Sequence, residues 1–379
     1  MTSYSKKQIS KIRIVVIGPL PPPLAGTSVS FKLFCEYMQL NPDLYHLDII
    51  NSAPKDVGQR SLLNTNNLFT ASRIIRLLLF RVVRADKVLL FGSHQFLVSM
   101  MPICLALAKA MRKPFYVRPF GGSLDKYYQG LSPAVRRYFH WVIGHTDGFI
   151  VETKNLNNYF NPLFGDKIHY VPGYRQIHKR DKLTSPTPGK ASVLKLVYVG
   201  HIREEKGIFD LLASLQLLAC DASFAIECDF FGPVYQAIAE RFDCDVANCQ
   251  GVNYCGVLQP EDVVPTIEQY DVFVFPSYYQ GEGHPGVLIE AMMSGLPIVA
   301  TEHNAIPELI SHRVNGLLVS RRSPSELAAA IRLLIEDTEL LAKLAEQSYK
   351  MSTQYSSEQV IPAILTAIGL DQNNNTTQV

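Results

Sequence analysis

Two doubly wound α/β domains facing an interdomain cleft are the architecture this sequence predicts. Three observations predict it. Short apolar, β-branched runs alternate with helix-length segments twice over, once on each side of a polar stretch carrying two prolines and a glycine. A chain of 379 residues with a 47% apolar share is too long for a single ordinary core. Charge divides at the same place: residues 1–180 hold 24 Lys+Arg against 9 Asp+Glu, net +15, and residues 181–379 hold 12 against 25, net −13.

The first alternation opens at Ile12 to Ile17, which reads as a buried parallel strand. An irregular loop, GPLPPPLAG at 18–26, follows it, and Thr27 or Ser28 is placed to cap a helix beginning SVSFKLFCEYM. Strand-like runs recur at 47–50, 87–91, 114–118 and 148–151. The segment around 185–190 is the best linker. A second set of runs then covers 194–199, 225–231, 271–275, 297–301 and 316–319. Ser323, Pro324, Ser325 and Glu326 form a capping box with proline at the first helical position. The expected divisions are a first domain over 1–182, a linker over 183–192 and a second domain over 193–353. A helix over 354–370 packs back on the first domain, and 371–379 is a disordered polar tail.

Composition excludes several classes. The amino terminus passes from polar residues straight into a strand, without the apolar segment of a signal peptide, so a cytoplasmic location is expected. The longest apolar stretch, Phe96 to Ala108, contains Ser99 and Pro102 and is too short to span a bilayer. Seven cysteines without a CxxC pair suggest neither zinc nor a disulfide framework, but packed thiols. Asp243-Cys244-Asp245 resembles a metal-binding tripeptide, yet no apolar strand precedes it, so it reads as solvated surface and no metal is expected.

The chemistry concentrates at 271–301, where a strand, a Gly/Pro-rich turn and a helix follow one another. Glu282 falls in the turn and Glu290 one helical turn in, so both acceptors face the crevice at the carboxyl end of a strand, where open α/β sheets bind ligands. Pro285 suits the first turn of that helix. GHIREEKG at 200–207 sets Lys206, with Arg203, at a helix amino terminus, where free N–H groups favour an anion such as a diphosphate; the bland alternative is a solvated loop lysine. Gly26 in the first loop would let backbone approach a phosphate on the facing wall. The site reads as one for a sugar nucleotide.

Together, GPLPPPLAG at 18–26, VGHIREEKG at 199–207, FPSYYQGEGHPGVLIEAMMSGLPIVAT at 275–301, IPELI at 306–310 and NGLLV at 315–319 resemble the retaining glycosyltransferases of sequence family four, which have the GT-B fold. The order and spacing match over nearly the whole chain, most specifically over 195–320. The resemblance implies that Glu282 contacts the donor sugar, Glu290 the ribose hydroxyls and Lys206 the diphosphate. It places the backbone of Gly286, Val287 and Leu288 close to the nucleotide; Gly26, Thr27, Gly200, His201, Gly283, His284 and Pro285 complete the expected donor-binding set. Two positions depart from the pattern. His201 stands where many members carry arginine, leaving Arg203 as the second cation. Phe120, in VRPFGGSLD, stands where many carry histidine, and the candidates to replace it are Arg118, Ser123, Asp125 and His94.

The resemblance implies transfer with retention of configuration from a nucleotide-diphosphate sugar, a substrate rather than a cofactor; with Lys206, Arg203 and a helix amino terminus aimed at the phosphate, no divalent metal is required. Leu68 to Arg84 sets Arg73, Arg76, Arg81 and Arg84 on one arc with Ile75, Leu78 and Val82 opposite, a basic amphipathic helix. With Arg112, Lys113, Arg136 and Arg137 it suits peripheral contact with an anionic membrane on its inner face; the alternative is an ordinary surface helix. The acceptor expected is a glycan or lipid-linked oligosaccharide in surface polysaccharide assembly. Nucleic acid is not expected, since the basic half carries no nucleic-acid motif. The competing readings are a non-catalytic sugar-nucleotide-binding partner subunit and a nucleotide-sugar epimerase.

Overall fold

Each strand-like run becomes a strand of one of two parallel sheets. The computed structural model describes residues 11–53, 65–176, 193–220 and 225–370; the expected linker at 183–192 and tail at 371–379 lie outside the described residues. The first domain runs β1 (Ile12–Gly18), α1 (Gly26–Gln39), β2 (Tyr45–Asn51), α2 (Thr65–Arg81), β3 (Lys87–Gly92), α3 (His94–Ala110), β4 (Phe115–Pro119), α4 (Leu124–Gly130), α5 (Pro133–Gly144), β5 (Gly148–Val151), α6 (Lys154–Phe164) and β6 (Ile168–Tyr170). The second continues with β7 (Leu194–Val199), α7 (Ile208–Ala219), β8 (Ile226–Phe231), α8 (Ala239–Ala247), β9 (Val252–Tyr254), α9 (Pro260–Ile267), β10 (Val272–Phe275) and α10 (Gly286–Met293). It closes with β11 (Ile298–Thr301), α11 (Ile306–Leu309), β12 (Gly316–Val319), α12 (Pro324–Glu336) and α13 (Thr338–Ser352), and then α14 (Ser357–Ala367) follows.

Strand order decides where a ligand can lie. The first sheet is ordered β2-β1-β3-β4-β5-β6, so the chain reverses direction between β1 and β3. The second is ordered β12-β11-β10-β7-β8-β9, with its reversal between β7 and β10. Loops at such a switch point diverge and open a crevice at the carboxyl ends of the strands. The loops after β7 and β10 are 200–207 and 276–285, the two segments that carry the charged motifs.

Helices cover both faces of each sheet. In the first domain α2, α3 and α5 pack on one face, while α1 and α14 pack on the other. The last helix thus returns to the first domain, burying Val360, Ile361, Ile364 and Leu365 against the strands. The chain crosses between domains twice at one place: Arg175 N–H donates to Tyr355 O at 3.0 Å, and Ser357 N–H donates to Arg175 O at 2.8 Å.

Local readings change in four places. Helix α1 starts at Gly26 behind Ala25, and Ser28 reaches back instead of capping, its Oγ accepting from Ala25 N–H at 3.0 Å. Glu326 accepts from Ser320 N–H at 2.8 Å, three residues beyond Ser323, whose side chain makes no cap; the favoured partner is the N–H left free by the end of β12. The short strands β6 and β9, three residues each at the sheet edges, lack a hydrophobic run to announce them. The face of α2 that enters the core is Ile74, Leu78 and Val82, with Ile75 only half-buried. Arg73 and Arg81 do not join an outward basic arc: their guanidiniums donate to Asn51 O and Ile49 O on β2, both at 2.7 Å.

Candidate active site

The loop after β7 is forced close to the loop after β10. Gly207 adopts φ +74°, and a Cβ there would stand 2.1 Å from Pro276 O, so only glycine permits the approach. Tyr278 N–H donates to Glu205 O at 2.9 Å and fastens the same two loops. Lys206 is thereby delivered to Glu282. The two form an ion pair, Ser277 Oγ donates to the same Glu282 oxygen at 2.7 Å, and Glu282 is 6% exposed. Burying this carboxylate is tolerable because it is paired and hydrogen-bonded. The Lys206 ammonium also lies 5.1 Å from the Tyr279 ring centroid and 5.6 Å from that of Phe275.

A second cation comes from the other domain. Arg175, 7% exposed, stands where the chain leaves the first domain, and its Nε donates to Glu290 Oε1 at 2.8 Å. Its Nη1 donates to Ser30 Oγ at 2.7 Å and to its neighbour's carbonyl, Tyr174 O, at 2.9 Å. A Cβ on Gly286 would lie 1.6 Å from Arg175 Nη2, so the glycine at the start of α10 makes room for the guanidinium. Two carboxylate–cation pairs therefore face one cavity of about 450 Å³, a size suited to a small ligand.

The cavity walls gather Gly26, Thr27, Gly200, His201, Lys206, Glu282, Gly283, His284, Pro285, Gly286, Val287 and Glu290. Leu288 is fully buried in the second core, behind this wall. Burial, with the nearby Lys206 and Arg203, holds the His201 imidazole below its ordinary value and therefore neutral at pH 7. His284 contributes little more than backbone, because its side chain is buried in the domain seam. Its Nδ1 accepts from Gly173 N–H at 3.1 Å, leaving the proton on Nε2 to be donated to Glu308 at 3.1 Å. Glu308 accepts in turn from Lys154 N–H at 2.8 Å and Asn155 N–H at 3.3 Å, the free amides of α6. Burial pushes the Glu308 carboxyl up, but these hydrogen bonds outweigh it and hold the group below the ordinary carboxylate value.

Other candidates are placed elsewhere. Arg203 is outside the cavity wall, its guanidinium 5.1 Å from the Tyr235 ring centroid and 5.5 Å from that of Tyr279. Phe120 lines the cavity; none of the four residues considered for its role does. Arg118 is buried and donates to Val171 O and Pro172 O. Ser123 precedes α4 without capping it, and Asp125 Oδ1 is buried without a hydrogen-bond partner. His94 lies against Tyr127, ring centroids 4.7 Å apart and tilted by 37°, with its Nδ1 buried and unpartnered, and burial holds it below its ordinary value. Asp243 and Asp245 lie on α8, the latter beside Arg241 at 3.6 Å, and the described residues bring no three His, Cys, Asp or Glu side chains together as a metal site. Two charged residues of the cavity wall escaped the sequence reading, Arg175 and Glu152. Arg175 lies next to the linker, without the strand, loop and helix context that marks a motif.

Two Rossmann-like domains with a cavity between the carboxyl ends of their strands make this a GT-B protein. Residues 194–337, most of the second domain, match the family model described as glycosyl transferases group 1. The chain is 28% identical over 184 residues to the amylovoran biosynthesis glycosyltransferase AmsK of Erwinia amylovora, spanning 47% of this chain and 43% of that one. It is 28% identical over 326 residues to the putative colanic acid biosynthesis glycosyltransferase WcaL of Escherichia coli K12, covering 73% of this chain and 75% of that protein. Among solved structures, HepE of Anabaena in complex with UDP superposes with a TM-score of 0.70 at 16% identity, covering 94% of this chain and all of the other. So distant a likeness establishes the fold alone.

Proposed function

We propose that this protein is a retaining glycosyltransferase of sequence family four, moving a sugar from a nucleotide-diphosphate sugar to a glycan or lipid-linked acceptor in cell-surface polysaccharide assembly. The observation that carries the reading is the pairing of Lys206 with Glu282 and Arg175 with Glu290 across one cavity at the switch point of the second sheet. The names of the two bacterial relatives support the pathway.

Breaking the bond between a sugar and a diphosphate develops negative charge on the departing phosphate oxygen and positive charge on the sugar carbon. Lys206, Arg175 and the first turn of α10 at Gly286 and Val287 supply preorganised positive charge for the first. Glu282 and Glu290 are acceptors for sugar and ribose hydroxyls. In this reading the bound donor takes over part of what the two ion pairs now do for one another. The charge is supplied without a metal, so activity should persist in excess chelator. Retention follows from same-face attack, in which the leaving phosphate accepts the acceptor's proton. Thermal-shift screening against a nucleotide-sugar panel is the direct test: a donor at about a hundred times its dissociation constant should stabilise by roughly 2.7 kcal/mol. Absence of any response, with no donor hydrolysis by the isolated chain, would refute the function.

Peripheral contact with an anionic membrane is part of the proposal. No described helix is long and apolar enough to cross a bilayer. Although Arg73 and Arg81 are tied to β2, α2 turns Phe69 and Phe80 outward, 57% and 76% exposed, with Arg76 and Arg84 beside them. On α5, Tyr138 and Trp141 are exposed with Arg137. Aromatic residues interleaved with arginine suit the headgroup region. Phe80→Glu should weaken flotation with anionic liposomes while leaving melting unchanged; equal flotation of both proteins would remove the claim.

A further inference from the structure

One carboxylate of the cavity wall is used by neither ion pair. Glu152 follows β5, so it emerges at the carboxyl edge of the first sheet and lines the cavity from the side opposite Lys206 and Glu290. Among the described residues, its Oε2 receives a single long hydrogen bond, from Gly121 N–H at 3.4 Å. A carboxylate can accept about four. The surrounding backbone is cut back to admit it: a Cβ on Gly173 would lie 2.6 Å from Oε1, and one on Gly283 would lie 3.2 Å from Oε2. Behind it, the buried Arg118 guanidinium is engaged by Val171 O and Pro172 O, while Glu152 adds a favourable field. Beside it, the cavity is lined by Phe120, whose side chain has no polar atom.

Gly283 is the residue after Glu282, so Glu152 reaches from the first domain to the loop that carries Glu282 and lines the part of the cavity beside that loop. On the glycosyltransferase reading, that part holds the donor's sugar. We propose that Glu152 is the first domain's sugar-recognition residue, accepting hydrogen bonds from hydroxyls of the donor's sugar while the second domain grips the nucleotide diphosphate. This assigns a polar partner to the sugar on the wall where Phe120 offers none. The inference rests on the function proposed above.

The test separates nucleotide from sugar. Wild type, Glu152→Gln and Glu152→Ala are titrated with the nucleotide sugar that responds in the panel and with its nucleoside diphosphate alone. The expected result is unchanged affinity for the diphosphate and a ten- to hundredfold weaker affinity for the sugar nucleotide in Glu152→Ala, since hydrogen bonds to a charged group are the strong ones. Glu152→Gln should melt like wild type without ligand and still discriminate less between the two. Parallel loss of both ligands, or full retention of the sugar's contribution, would overturn the assignment. So would a fall in ligand-free melting temperature with the sugar's contribution intact, which would make Glu152 a counter-charge for Arg118. A wild type that ignores every nucleotide would instead defeat the glycosyltransferase reading, and this inference with it.

Discussion

Replacing Arg175 with alanine tests the site where the two domains meet. The guanidinium side chain is 8% exposed and its partner Glu290 17%, with the charged atoms 2.8 Å apart. Removing one member of a buried pair leaves the other charge uncompensated, a loss of about 3–5 kcal/mol. Glu290 borders the cavity and water can reach it, so the lower end, about 3 kcal/mol, is expected. On the scale of a domain of roughly 150–250 residues this lowers the melting temperature by about 6–12 °C. Transfer should fall further than stability explains, by about a hundredfold, because a preorganised cation facing the leaving group is worth roughly 3 kcal/mol of barrier. Arg175→Lys keeps a charge but not the planar fork that reaches Glu290 and Ser30 together, and should give intermediate values. Calorimetry and initial rates on the folded variants measure the two effects separately. An alanine variant that melts and turns over like wild type would refute the role drawn for Arg175.

Lys206→Ala should lower transfer about a hundredfold, and adding Glu282→Gln should restore stability without restoring rate, since the amide removes the orphaned charge. Gly207→Ala should be among the most destabilising single changes, because φ +74° and a Cβ 2.1 Å from Pro276 O drive the two motif loops apart; circular dichroism melting reads it, and a neutral result would contradict the loop packing. The seam should weaken in acid. Glu308 has its carboxyl held below the ordinary value of 4.5, so its contribution is fully present above that pH and is lost as pH falls through the lower folded value. Glu308→Gln should flatten the melting-temperature profile below about pH 4.5, and an unchanged profile would count against the His284–Glu308 clasp.

The sequence by itself determined both sheets wherever burial on two faces demands a continuous apolar run, as in IRIVVI and LKLVYV. It also determined the loops that carry Lys206 and Glu282 and the helix start that presents Glu290, because glycine, proline and charge between a strand and a helix signal a turn that faces a crevice. It could not announce β6 and β9, which are three residues long and sit at sheet edges, where little apolar surface is buried. Tertiary structure alone decided which charges meet. Arg175 reaches Glu290 across 115 positions because the chain crosses between domains beside Tyr355 and Ser357, and Glu152 faces the cavity because glycines at 173 and 283 leave it room. It also turned Arg203 onto tyrosine rings and His284 into the domain seam. Local pattern records what one segment buries, whereas an ion pair between distant segments depends on the packing of everything between them.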